Sequence, residues 1–218
     1  MSAVIKFITK PIEQELEHFS LEDIVAYCAK VSNPTNQMNT MTNERLIKYL
    51  INNNHWSPFE MVSITMEIKT TRTIARQILR HKSFSFQEFS GRYAEFDLNT
   101  FILSETRLQD KKNRQNSIKT NNPKLAKQWE RKQKIVLYVV KHAYNWALKN
   151  GIAKEQARNV LPEGLTPTTI YMAGTLRSWI HYVKLREANG TQLEHIEIAK
   201  QCSDCINQHF PLIRENLV

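Results

Sequence analysis

Apolar and polar residues change period several times along this chain, and each change marks an element. Residues 3–9, AVIKFIT, read as a strand. From Ser20 the period becomes helical: Leu21, Ile24, Val25 and Cys28 recur at spacings of three and four. Ser20 with Asp23 three positions later approximates a capping box. After the loop NPTNQMNTM, residues 42–54 form a second helical stretch, with Leu46, Ile47 and Leu50 on one face. HWSPFE, residues 55–60, breaks it. Residues 61–70 then alternate, with Val62, Ile64, Met66 and Ile68 apolar, which predicts a half-buried strand. Helical period returns over 71–82. A long helix is predicted over residues 123–150, closed by Gly151. Residues 153–161 form a short helix stopped by Pro162. Residues 166–174, TPTTIYMAG, fit either strand or loop. Residues 175–186 are helical and end before Asn189-Gly190. Residues 191–210 form a last helix, stopped by Pro211. The sum is one α+β domain over 1–218, with a small, twisted, mostly antiparallel sheet and a helix-rich second half.

Composition narrows the class. The chain has 218 residues, 41% of them hydrophobic, and a mean hydropathy of -0.48, values of a soluble globular domain. The N-terminus lacks the pattern of a signal peptide, and no segment has the length of a membrane span. Three cysteines, Cys28, Cys202 and Cys205, make an odd count without a disulfide framework. A reducing, cytoplasmic setting follows. Cys202-x-x-Cys205 lacks a second ligand pair, so no metal site is expected.

Net charge is +9, and residues 105–134 hold ten Lys/Arg against three acids, which is +7 of it. The basicity is therefore local. A solvated loop leading into a helix explains it; a nucleic-acid-binding patch is the alternative, though no DNA- or RNA-binding motif accompanies it.

The densest chemistry is RHKSFSFQEFSGRY, residues 80–93. Arg72, Arg76 and Arg80 fall at i, i+4 and i+8 of the preceding helix and stack along one face. Arg80, His81 and Lys82 come where that helix must end. Ser85 and Ser90 add hydroxyls, and Gly91 lets a ligand approach the backbone. Arg92 offers a planar fork for phosphate or carboxylate. Glu88 is the lone carboxylate, able to neutralise the cations or to accept a hydrogen bond. Phe84 and Phe86 anchor a strand to the core. These residues predict an anion site with a directional acceptor, for a nucleotide or another phosphate ester. A serine nucleophile needs a base. His81, flanked by Arg80 and Lys82, is kept neutral by them and is the nearest one in sequence.

This stretch resembles the signature of the flavin-dependent thymidylate synthases, RHRxxSxxxxSxRY, matching at Arg80, His81, Ser85, Ser90, Arg92 and Tyr93. Lys82 stands where the pattern has Arg; it keeps the charge and loses the fork. HWSPFE resembles the family's H-x-[ST]-P-F-E, and ARNVLP its A-R-x-x-L-P. LRSWIHYVKLR resembles its RSxxHFxxLR segment, with Tyr182 for Phe. QEFSGRY and NGTQLEHI are most similar to members encoded by large viruses, which would place the protein in host cytoplasm.

The resemblance implies methylation of dUMP to dTMP, with methylenetetrahydrofolate as carbon donor, FAD as hydride carrier and NADPH as its reductant. It implies a homotetramer with shared sites. Ser32, His55, Ser57, Glu60, Arg80, His81, Lys82, Arg177 and His181 would line the flavin. Gln77, Arg80, Glu88, Ser90, Gly91, Arg92, Arg158 and Arg186 would hold dUMP, with Arg186 the catalytic residue at the uracil ring. Arg177, His181 and Arg186 are expected on one side of their helix. No protein side chain would bond covalently to the pyrimidine. His195 and His209 are expected to be surface or satisfied histidines, and Trp129 and Trp146 core or interface residues.

Overall fold

A computed structural model of the chain describes residues 1–212. Four strands form one antiparallel sheet in the order β1-β2-β6-β3: β1 (Ser2–Ile8), β2 (Ser63–Thr71), β6 (Pro167–Thr175) and β3 (Ser85–Glu88). β2 and β6 occupy the centre, in register from Ser63 opposite Thr175 to Thr71 opposite Pro167. The alternation of β2 sorts its faces. Ile64, Met66 and Ile68 are buried, while Thr65, Glu67 and Lys69 are on the other face. There Glu67 accepts from Tyr171 and pairs with Lys6. Residues 166–174 prove to be strand, with Thr168, Ile170 and Met172 buried at alternate positions. The threonine in that row hides the apolar alternation from a reading of the sequence.

Helices cover the buried face of the sheet. α1 (Leu21–Ala29) carries the capping box in full: Ser20 Oγ accepts from the Asp23 N–H, and the Asp23 carboxylate accepts from the Ser20 N–H. α2 (Asn43–Asn52) buries Ile47, Leu50 and Ile51. α6 (Leu176–Arg186) and α7 (Leu193–Asn207) supply Trp179, Ile180, Val183, Ile198 and Cys202 to the core. Trp179 is fully buried, and its indole N–H donates to the Ile64 carbonyl on β2. That single side chain is worth about 3–5 kcal/mol if truncated to alanine.

The helix over 71–82 is shorter than its period suggests. α3 spans Arg72–Ile78, and residues 79–83 turn into β3. Arg80 therefore lies in the turn, and the three-arginine stack does not form. Arg76 pairs with Glu163, and the Arg72 guanidinium lies 5.8 Å from the centre of the Phe96 ring.

The basic stretch also differs from a plain loop. It folds into a two-stranded hairpin, β4 (Arg107–Gln109) with β5 (Ser117–Lys119), before α4 (Pro123–Lys149) begins. Asn122 caps α4, and Gly151 follows it at φ +74°, the left-handed geometry that suits glycine. α4 packs one face over a second, smaller cluster of Phe96, Leu98, Tyr144, Ala147 and Ala157, the last on α5 (Lys154–Ala157). Trp129 and Trp146 are 44% and 56% exposed, so they belong to no core of this chain. No described helix is long and apolar enough to cross a membrane.

Candidate active site

α3 follows β2 without a connecting loop, and α6 follows β6 in the same way. Because β2 and β6 run antiparallel, the two helices start at opposite ends of the sheet and their far ends approach one another. There Arg186 donates its Nε–H to His81 Nε2 at 2.8 Å. Gln77 of α3, Tyr182 of α6 and His195 of α7 complete the group. The Tyr182 hydroxyl lies 3.0 Å from His195 Nε2, and His195 Nδ1 lies 3.1 Å from Gln77 Oε1. Gln77 Nε2 donates to Gln192 Oε1 at 2.8 Å.

Burial and the Arg186 charge push His81 down to about 4. Its neutrality was expected from Arg80 and Lys82; the causes are instead desolvation and Arg186, which lies far away in sequence. Its Nε2 lone pair is taken by Arg186, so that nitrogen is closed to a serine hydroxyl. His195 is pushed down to about 3 by burial, then by Arg186 and His81.

A second group lies at the start of α6. Arg177 is ion-paired with Glu60, and His181 meets Trp56 edge-on at 5.0 Å between ring centres. Burial, then Arg177 and Lys184, lower the pKa of His181. His55, Ser57 and Arg177 line a cavity of about 460 Å³ with Trp56, Pro58 and Ala29, and Ser32 is exposed in the turn just beyond α1. Arg177 thus faces this cavity and His181 lies against Trp56 on its wall, whereas Arg186 faces His81. Nine residues at 100° each put Arg186 half a turn from Arg177, so the three do not share one side.

The third group follows β3, the edge strand. Glu88 accepts from the Thr168 hydroxyl at 2.9 Å, so its first partner is a β6 hydroxyl rather than a cation. The Ser90 hydroxyl accepts from the Arg92 N–H, and Arg92 pairs with Glu155 at 3.6 Å. Gly91 is buried, and a Cβ there would stand 2.3 Å from the Phe96 ring. Its lack of a side chain leaves room for that ring. Arg158 is the C-cap residue of α5, half-buried. Phe84 anchors β3 as expected, 4.9 Å from Trp179.

Among the described residues no hydrogen bond or ion pair joins the third group to the other two. Arg80 and Lys82 stand exposed in the turn between them. Another cavity, about 670 Å³ between α3, α7 and the hairpin, is lined by none of the predicted residues. No described group of His, Cys, Asp or Glu could hold a metal ion. All three cysteines are free, and burial raises each thiol. His209 is exposed, whereas His195 is buried and satisfied.

Sequence reasoning missed Tyr182, His195, Gln192 and Thr168 as parts of these groups. A signal existed for His195: with Ile198, Ala199, Cys202 and Ile206 it occupies the buried stripe of α7. A histidine in an apolar stripe needs polar partners.

These groups sit on a fold shared with known enzymes. Residues 16–212 match the family model described as "Thymidylate synthase complementing protein". A "Probable flavin-dependent thymidylate synthase" of Paramecium bursaria Chlorella virus 1 is 48% identical over 217 residues, covering 100% of this chain and 99% of the relative. A "Flavin-dependent thymidylate synthase" of Synechocystis sp. is 45% identical, over 96% of each chain. The crystal structure of a UMP/dUMP methylase, PolB from Streptomyces cacaoi, superposes with a TM-score of 0.79 at 24% identity, over 98% of this chain and 92% of that one. The chain belongs to the flavin-dependent thymidylate synthase family. It is an enzyme, a methyltransferase of the α+β architecture expected.

Proposed function

We propose that this chain converts dUMP to dTMP by reductive methylation. One methylene group comes from methylenetetrahydrofolate, which leaves as tetrahydrofolate. The two reducing equivalents would come from NADPH, which leaves as NADP, with FAD supplying the redox chemistry. The observation that carries the reading is the contact between Arg186 and His81, which joins two separate family motifs at one point.

The residues present fit FAD. Its pyrophosphate calls for cations, and Arg80, Lys82 and Arg177 are at or near the surface. His55, Ser57 and the edge of His181 offer polar contacts to the rest, with Ser32 and Glu60 nearby. Bound flavin supplies the redox chemistry; the protein binds, orients and polarises. Gln77, Arg80, Glu88, Ser90, Gly91, Arg92 and Arg158 are the proposed dUMP ligands. The Arg186 guanidinium would stabilise negative charge developing on the uracil ring. The relatives' own names support the flavin and the product.

A homotetramer with shared sites is part of the proposal. Among the described residues of one chain the third group has no polar link to the first two. α4 also presents a second apolar face. Trp129, Val136, Val139, Ala143 and Trp146, with Lys132 among them, recur at three- and four-residue spacings, about 100° around the helix from the buried Gln133, Leu137, Tyr144 and Ala147. Val139 is 59% exposed. Such a seam suits a neighbouring helix.

An absorption spectrum of the purified protein tests the reading. Bound oxidised flavin, with its blue absorption perturbed by added dUMP, is the expected result. Protein that stays colourless after incubation with FAD and gel filtration would refute it.

A further inference from the structure

Tyr182 stands where the resemblance has phenylalanine, and its hydroxyl is buried between α6 and α7. The one polar atom described within hydrogen-bonding distance of that hydroxyl is His195 Nε2, at 3.0 Å. A buried hydroxyl proton needs an acceptor. Nε2 can accept only if it carries no proton. The proton of the neutral ring must then sit on Nδ1, which faces Gln77 Oε1 at 3.1 Å. The amide of Gln77 is thereby oriented: oxygen toward His195, and one N–H toward Gln192 Oε1 at 2.8 Å. Its second N–H and one oxygen lone pair are left for a ligand.

Without the tyrosine hydroxyl the chain of bonds could run the other way. His195 would carry its proton on Nε2, the Gln77 amide would turn over, and exposed Gln192 would turn with it. The two arrangements have the same number of bonds between Gln77, His195 and Gln192. They exchange the donor and acceptor that Gln77 presents. The Tyr182 hydroxyl separates them from one end of the chain of bonds, and the Glu194 carboxylate, which accepts from Gln192, from the other.

We propose that Tyr182 and His195 are positioning residues for nucleotide recognition: the hydroxyl fixes the Nδ1–H tautomer of His195, which fixes the face of the Gln77 amide offered to dUMP. The inference rests on the proposed role of Gln77 as a dUMP ligand. Low basicity of His195 supports it, since burial and the neighbouring Arg186 and His81 keep the ring neutral across the working pH range.

The test uses full-length, FAD-loaded protein and calorimetric titration with dUMP. Tyr182→Phe keeps the ring and removes the hydroxyl. It should weaken dUMP affinity about fivefold, the size of one neutral hydrogen bond. His195→Leu should do the same, and the double variant should be no worse than either single one. In a Gln77→Ala background neither change should alter affinity further, which a merely structural role would not produce. Selective 15N-histidine labelling reads the tautomer directly. Wild-type His195 should show Nδ1–H, and Tyr182→Phe should weaken that preference. Wild-type affinity in Tyr182→Phe, or an Nε2–H tautomer in the wild type, overturns the proposal. Wild-type protein that binds flavin but not dUMP overturns Gln77 as a nucleotide ligand, while the imidazole spectrum still decides the tautomer separately.

Discussion

Arg186, the last residue of α6, donates to His81 across 2.8 Å although 105 positions separate them. The bond uses the guanidinium Nε–H and leaves the terminal N–H groups of Arg186 available. Arg186→Ala should therefore keep flavin and lose dUMP. A charge-assisted hydrogen bond is worth roughly 1.5–3 kcal/mol, or about ten- to a hundredfold in affinity. Arg186→Lys should recover only part, because an ammonium has no planar fork. The same Arg186→Ala variant should raise the pKa of His81, though not to its ordinary value, since burial is the larger cause. Titration of the imidazole by NMR, beside dUMP calorimetry, checks both.

Stability should fall with pH in a defined window. His81 and His195 are held at about 4 and about 3, against an ordinary 6.5. An unfolded chain takes up both protons as pH drops through 6.5, and the folded chain resists until about 4 and 3. Their contribution is thus complete above pH 6.5 and lost progressively below it, at most ~1.4 kcal/mol per pH unit for each ring. His81 is half-exposed, so its share is smaller. Glu22 and Glu187, raised by burial, act in the opposite direction and blunt the fall. His195→Leu isolates the effect. Its thermal midpoint should decline less between pH 6.5 and 4 than that of the wild type.

Where the sequence was legible, one periodicity met one buried face. The alternation of Val62, Ile64, Met66 and Ile68 predicted β2, and Ser20 with Asp23 marked the start of α1 to the residue. Legibility failed where tertiary contacts decide. Arg80 continues the helical spacing of Arg72 and Arg76, yet α3 stops at Ile78 so that the chain can turn into β3. The β4–β5 hairpin is three residues per strand with exposed Leu108 and Ile118, too short and polar for a pattern. The motifs named the candidate residues but not their grouping. Arg177 and Arg186 lie nine residues apart on one helix and serve different surfaces.

No cysteine is poised as a nucleophile. Burial raises Cys28 and Cys205, and pushes the fully enclosed Cys202 far up. The Cys28→Ala/Cys202→Ala/Cys205→Ala variant should still form dTMP, with a stability loss of about 1 kcal/mol from the Cys202 site. Ser90→Ala should raise the KM for dUMP more than it lowers kcat. Intact-mass analysis of quenched wild-type enzyme should show no nucleotide adduct. An adduct on the peptide containing Ser90, with complete loss of turnover in Ser90→Ala, would mean that the loop holds a nucleophile.

The exposed seam of α4 should be an assembly surface. Light scattering should give a mass near four times 25.6 kDa for the wild type. Val139→Glu should lower that mass and abolish turnover while leaving the far-ultraviolet circular dichroism intact. A wild-type protein that is active at the mass of one chain would contradict shared sites.

Product formation tests the central claim most directly. Purified protein is supplied with FAD, NADPH, methylenetetrahydrofolate and dUMP, and the nucleotides are separated by chromatography. The account predicts dTMP formed in step with NADPH oxidation, dependent on FAD and lost in Arg186→Ala. Flavin-loaded wild-type protein that binds dUMP yet yields no dTMP with the complete mixture would contradict it.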